Sequence, residues 1–95
     1  MSVADIQKKI TPLLRSYGIK RASVFGSHAR GTDRPGSDVD LLVQFGKPVG
    51  MIDYMRFVGA IEEALQCPVD VVTERSASKH LKPHIERDLQ TIYES

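Results

Sequence analysis

The chain has 95 residues, a length that predicts one domain covering residues 1–95. Its 13 Lys and Arg residues against 12 Asp and Glu residues leave a net charge of +1, which argues against the broad basic surface of a nucleic-acid-binding protein. The single cysteine, Cys67, cannot form an internal disulfide, and neither a signal peptide nor an apolar run long enough for a membrane span is visible. We therefore expect a cytoplasmic location, with no contact to a membrane or directly to nucleic acid.

Apolar residues at helical spacing predict a first helix that begins at Val3, with Ser2 as its N-cap and Gly18 as its stop. Pro12 lies inside this pattern, so the helix is expected to kink there or to divide into two pieces. A short strand over 21–25 follows.

The next segment turns twice before a strong strand pattern. A short helix is expected over Ser27–Arg30, and a loop over 32–37, where Pro and Gly stand among polar residues. The sequence over 38–45, DVDLLVQF, is the clearest strand pattern of the chain. A turn at 46–50 ends it.

The second half predicts another helix, a strand and a tail. One apolar helical face is expected, with Glu62 and Glu63 on the solvated side; its members are Ile52, Met55, Val58, Ile61 and Leu65. A third strand over 69–73, a helix over 83–90 and an edge strand at 92–93 complete the prediction. This order predicts an α/β (α+β) fold, a small mixed sheet flanked by helices.

Two acidic residues open the 38–45 strand. Because alternate residues of a strand project to the same side, Asp38 and Asp40 are expected to present both carboxylates on one surface. Such neighbours repel each other, and a magnesium ion, which prefers oxygen ligands, removes that repulsion. Taken alone, Asp-Val-Asp is common by chance and is more typical of a solvated strand start.

Asp70 adds a third carboxylate, in a strand that is otherwise rich in valine. An acid in such a strand is costly unless it has a partner. If the strand lies beside 38–45, Asp70 joins Asp38 and Asp40 on one face, which is the arrangement that two-metal nucleotidyl transfer needs. The alternative is an exposed acid on an edge strand.

Gly26-Ser27 stands where the first strand gives way to the short helix. Backbone N–H groups and a hydroxyl at a helix start can bind phosphate oxygens, and Gly26 would let a phosphate approach the backbone. Arg30, one turn later, could add a positive charge toward a triphosphate or a partner. Alone, Gly-Ser is more typical of a simple turn.

Taken together, the motifs resemble a known family. Gly26-Ser27, then ten residues, then Asp38-Val-Asp40 and a single later acid are similar to the signature of the DNA polymerase β-like nucleotidyltransferase superfamily. The strings FGSHARG (25–31) and SDVDL (37–41) resemble the minimal nucleotidyltransferase (MNT) family in particular.

The resemblance implies the nucleotidyltransferase fold and the transfer of AMP from ATP to a hydroxyl group. By position, Asp38 and Asp40 would bind two magnesium ions, and Asp70 would bind one of them and help to deprotonate the acceptor. Gly26 and Ser27 would hold the β- and γ-phosphates.

The resemblance also implies a partner, because MNT proteins are typically antitoxins that adenylylate a tyrosine of a HEPN-domain ribonuclease toxin. Two alternatives stay open: a non-catalytic antitoxin that neutralises its partner by binding, and a nucleotidyltransferase acting on a small molecule such as an aminoglycoside. The sequence does not give the acceptor, the base preference, the number of nucleotides transferred or the oligomeric state, and a homo-oligomer is one of the open cases.

Overall fold

The computed structural model describes residues 1–31, 38–74 and 89–95. These ranges form helices and strands in the order α1 (Val3–Ser16), β1 (Ile19–Phe25), α2 (Ser27–Arg30), β2 (Val39–Phe45), α3 (Met51–Leu65), β3 (Val69–Thr73) and β4 (Gln90–Glu94). The strands make a four-stranded sheet in the order β3-β2-β1-β4. The predicted small mixed sheet with helices is confirmed. None of the helices in the described ranges is long and apolar enough to cross a membrane.

The sheet combines antiparallel and parallel pairing. β1 runs antiparallel to both β2 and β4, whereas β2 and β3 are parallel. Parallel neighbours need a crossover connection, and α3 supplies it between β2 and β3. The predicted edge strand at 92–93 is confirmed as part of β4, which lies at the free side of β1.

The main core lies between the sheet and the two long helices. α1 and α3 contact each other, and they share one cluster of buried side chains with alternate residues of the strands. In β2 the residues that enter this core are Val39, Leu41 and Val43, all fully buried. Leu42 projects to the other face, where it packs against Phe25, Val72 and Leu89.

α1 is one helix, so the expected division at Pro12 is not observed. Ile10 and Leu14, on either side of the proline, are both fully buried, and their burial holds both halves of the helix on the core. Pro12 itself is exposed, so water can reach the backbone carbonyl that loses its N–H partner. The predicted start and stop are confirmed, because Ser2 caps α1 and Gly18 follows its C-cap with φ +70°.

The apolar face predicted for α3 is wrong in its first half. Ile52 and Met55 are 69% and 64% exposed, while Phe57, Ile61 and Leu65 form the buried stripe. Its spacing i, i+4, i+8 fits one face of a helix as well as the predicted spacing does. The packing of the Phe57 ring determines which of the two faces is buried. The ring packs edge-to-face against Phe45 and Tyr17, with ring centroids 5.5 and 5.4 Å apart.

Two predicted segments fall largely outside the described residues. They are the loop predicted over 32–37 and most of the predicted tail helix, residues 83–88. The predicted end of that helix is wrong, because Gln90 begins β4. Gln90 pairs with Val24 of β1, so its backbone is extended rather than helical.

Candidate functional site

The predicted site residues meet at one end of the sheet because of how the strands run. β1 is antiparallel to β2, so its last residues lie beside the first residues of β2. β3 is parallel to β2, so its first residues also lie at this end. The turn at Gly26, the start of β2 at Asp40 and the start of β3 at Asp70 are thereby brought together. We call this region the acidic end of the sheet.

Asp40 and Asp70 are direct register partners on neighbouring strands. Residues paired in this way project to the same face of a sheet, so the two carboxylates share one surface. Asp40 is half-buried and Asp70 is exposed. The sequence left the adjacency of the 69–73 and 38–45 strands as a condition, and the pairing of β2 with β3 meets it, although Asp38 lies one residue before β2 begins.

Gly26 has a backbone conformation that requires glycine. Its φ of 76° and ψ of −151° fall in a region that other residues essentially do not adopt. A Cβ at this position would overlap Oδ2 of Asp40 and would lie 3.1 Å from its Cγ. The missing side chain therefore makes room for the Asp40 carboxylate, a reason that the sequence interpretation, which saw room for a phosphate, did not include.

α2 supplies positive charge beside the acids. It is a single turn, in which the N–H of Arg30 donates to the carbonyl of Gly26 at 3.1 Å. Arg30 is exposed, whereas His28 is buried, and positive charge on either residue lowers the pKa of Asp40. His28 is buried beside Asp40 because of how the strands meet. The sequence around His28, a short turn, did not predict this burial.

The pKa of Asp40 is nevertheless raised above its usual value. Burial is the largest cause, followed by the negative charges of Asp70 and Asp38. Removing a carboxylate from water and placing other carboxylates near it both disfavour its charged form. At the charged acidic end, burial and the repulsion between carboxylates together outweigh the attraction of His28 and Arg30, and a cation would be attracted to it.

The donor chemistry of this end fits a hard divalent cation, because carboxylate oxygens are the ligands that magnesium prefers. Among residues 1–31, 38–74 and 89–95, however, no group of three His, Cys, Asp or Glu side chains is placed to hold a metal ion. The structure brings Asp40 and Asp70 together on one face, and Asp38 is an exposed residue whose charge raises the pKa of Asp40.

Two side chains of α3 contact the strand that bears Asp70. The carboxylate of Glu62 accepts a hydrogen bond from the backbone N–H of Val69 at 3.0 Å. The hydroxyl of Tyr54 donates to the carbonyl of Val71 at 3.0 Å. The expectation that Glu62 lies on the solvated face is wrong, because it is half-buried against β3; Glu63 is exposed as expected.

A cleft of about 580 Å³ lies at the opposite end of the sheet. Phe45, Met51, Tyr54 and Glu74 are among its lining residues. Since β2 runs from Val39 at the acidic end to Phe45 at the cleft, the cleft is separate from the aspartates.

Comparisons with known proteins agree with this arrangement. The family model described as polymerase beta, nucleotidyltransferase, matches residues 8–95. A protein of Methanocaldococcus jannaschii that is provisionally named a protein adenylyltransferase is 42% identical over 85 residues, which cover 90% of this chain and 91% of the relative.

Solved structures show the same fold. A toxin–antitoxin structure with AMP-PNP matches with a TM-score of 0.80 at 27% identity, covering 94% of this chain and 73% of the matched chain. The complex of a tri-AMPylated Shewanella oneidensis HEPN toxin with its MNT antitoxin matches with a TM-score of 0.72 at 24% identity, covering 95% and 71%. At that identity the second likeness shows the fold alone.

Proposed function

This chain belongs to the polymerase β family of nucleotidyltransferases, and on that premise we propose that it transfers AMP from ATP to a hydroxyl group. The observation that carries the proposal is the acidic end of the sheet. Asp40 lies in register with Asp70, and the glycine that precedes α2 makes room for the Asp40 carboxylate. A purely structural role does not require two neighbouring carboxylates whose negative charges repel each other.

Magnesium is the cofactor that this site would take. We assign Asp38 and Asp40 to two ions, and Asp70 to one of them. Bound magnesium would stabilise the negative charge that develops on the phosphates during transfer. The raised pKa of Asp40 supports the assignment, because a cation would relieve the repulsion from Asp70 and Asp38 that contributes to it.

In the proposed reaction, Asp70 has a second role, and Gly26, Ser27 and Arg30 bind the triphosphate. The acceptor oxygen forms a bond to the α-phosphorus of ATP, the bond from that phosphorus to the pyrophosphate oxygen breaks, and pyrophosphate leaves. Asp70 takes the proton of the acceptor hydroxyl. Backbone N–H groups at Gly26 and Ser27 hold the β- and γ-phosphates, and Arg30 adds positive charge. The AMP-PNP in the related toxin–antitoxin structure supports ATP as the donor.

The acceptor that we propose is a tyrosine of a partner HEPN ribonuclease toxin, which makes this protein the antitoxin. Two findings support it: the 42% identical relative is provisionally named a protein adenylyltransferase, and the 27% identical chain with AMP-PNP belongs to a toxin–antitoxin structure. The reaction would take place in the cytoplasm, where ATP and a ribonuclease toxin's substrate are both available.

The test is transfer of label from α-labelled ATP to the cognate HEPN protein. Wild-type protein with magnesium should label the toxin, and Asp38→Asn/Asp40→Asn should not. Asp53→Asn is a matched control, because Asp53 is an exposed acid in the first turn of α3. Unlabelled toxin with wild-type protein, or equal labelling with the double variant, would overturn the catalytic proposal.

Two further outcomes identify the alternatives. Protection of cells by the double Asn variant would indicate neutralisation by binding alone. Aminoglycoside resistance without any partner gene would indicate a small-molecule acceptor.

A further inference from the structure

Within the described residues β3 is an edge strand, and one side of its backbone has no neighbouring strand among them. The N–H of Val39 donates to the carbonyl of Pro68 at 3.1 Å, which shows which residues of β3 face β2. Because backbone groups alternate along a strand, Asp70 also faces β2 with its backbone, whereas Val69 and Val71 face outward. Such outward groups are left to water or to another chain unless something covers them.

α3 covers these outward groups, on both sides of Asp70. Glu62 accepts from the N–H of Val69, and Tyr54 donates to the carbonyl of Val71, each at 3.0 Å and each partly buried. The two side chains come from the same helix, about two turns apart, and they contact the two residues that flank Asp70. β3 is therefore held between β2 on one side and α3 on the other.

We infer that Glu62 and Tyr54 are positioning residues that fix Asp70 beside Asp40. The inference rests on the proposed function, in which Asp70 takes the acceptor proton. Neither Glu62 nor Tyr54 touches the substrate; each acts through the backbone of β3. Without these two hydrogen bonds the edge strand would keep its pairing with β2 and the packing of Val69 and Val71 on the core, but the Asp70 carboxylate would occupy a wider range of positions.

Loss of the hydrogen bonds from Glu62 and Tyr54 to β3 should affect the chemical step more than nucleotide binding. A catalytic group displaced by about 1 Å can cost up to about a hundredfold in rate. The proposed phosphate contacts are at Gly26, between β1 and α2, and at Ser27, the first residue of α2, and the hydrogen bonds of Glu62 and Tyr54 described above reach neither. We therefore expect kcat to fall about tenfold or more while the KM for ATP changes by less than about twofold.

The experiment compares Glu62→Ala and Tyr54→Phe with matched controls in AMP transfer. Glu63→Ala removes the exposed neighbouring acid, and Tyr17→Phe removes a hydroxyl from a tyrosine at the end of α1. Glu62→Gln keeps an oxygen that can accept from the N–H of Val69, so it should restore most of kcat. All assays are run well below the melting temperature of every variant.

Hydrogen exchange provides a readout that needs no activity. The Val69 amide should exchange at least about tenfold faster in Glu62→Ala than in wild type or Glu62→Gln, with no change in amides of α1. If wild type transfers AMP but kcat in Glu62→Ala and Tyr54→Phe matches the controls, the inference is overturned. If wild type itself is inactive, the proposed function has failed, and unchanged Val69 exchange in Glu62→Ala would then overturn the inference separately.

Discussion

Gly26→Ala should destabilise the protein more than the same change at Gly18, another glycine with positive φ. The new residue would have to keep φ 76° and ψ −151°, which costs about 1–3 kcal/mol for a residue other than glycine. Its Cβ would also displace the Asp40 carboxylate, and forced repacking of this kind costs about 1–3 kcal/mol. We expect a total near 3 kcal/mol, out of about 5–15 kcal/mol of stability for a typical domain.

The assay is thermal unfolding followed by circular dichroism in EDTA. For a domain of this size, 1 kcal/mol corresponds to a shift of about 4–8 °C, so the melting temperature should fall by about 12–24 °C. Gly18→Ala is the matched control, with φ +70° and no atom within 4 Å of the new Cβ. It should lose only the cost of the left-handed conformation, about 1–2 kcal/mol.

A double-mutant cycle with Asp40→Ala isolates the contact. In the Asp40→Ala background the carboxylate is gone, so Gly26→Ala should cost about 1 kcal/mol less than in wild type. Purely additive effects, or equal losses for Gly26→Ala and Gly18→Ala, would show that Asp40 does not occupy the space next to Gly26. The reasoning about the acidic end of the sheet would then be refuted.

Three further predictions concern the core and the charges. Ile61→Ala, at a fully buried position, should lower the free energy of unfolding by about 2–5 kcal/mol in denaturant unfolding. Ile52→Ala on the same helix should change it by less than about 0.5 kcal/mol. Similar losses for both variants would indicate that Ile52 is buried, as the sequence predicted. Because the pKa of Asp40 is raised in the folded state, its contribution to stability is present at low pH and lost as pH rises, so Asp40→Asn should raise the melting temperature at pH 7 in EDTA. That gain should shrink as pH falls toward 4, and a gain independent of pH would contradict it. Magnesium should raise the melting temperature of wild type but not of Asp38→Asn/Asp40→Asn, and equal shifts would exclude the assigned aspartates as ligands.

Much of the fold could be predicted because its signals are local. Short apolar strand patterns located β2 and β3, and the short helix expected over Ser27–Arg30 has the bounds of α2. The adjacency of Asp40 and Asp70 was predicted only as a condition, since nothing in either segment specifies its neighbour. The parallel pairing and its register supply that information.

The errors arose where tertiary contacts chose between local options. α3 has two apolar stripes, and only the packing of Phe57 against neighbouring rings selects the buried one. Glu62 has the sequence context of a solvated acid, and its hydrogen bond to Val69 depends on where the strand edge lies. For Gly26 the structure adds a reason for glycine that the sequence did not indicate, because the Asp40 carboxylate occupies the space of a Cβ.

The position of β4 has a consequence for how the protein folds. β1 leads directly into Gly26, and one of its two neighbouring strands, β4, comes from the end of the sequence. The hydroxyls of Ser23 in β1 and Thr91 in β4 are 3.3 Å apart but 68 residues apart in the chain. Pairing at such distance forms slowly, because chain entropy must be lost before the contact stabilises anything. The Gln90 side chain then donates to the carbonyl of Ala29 at 2.6 Å, and so ties β4 to α2. We therefore expect the turn at Gly26 and Ser27, which is proposed to hold phosphates, to become rigid late in folding, together with a strand that supplies none of the proposed catalytic residues.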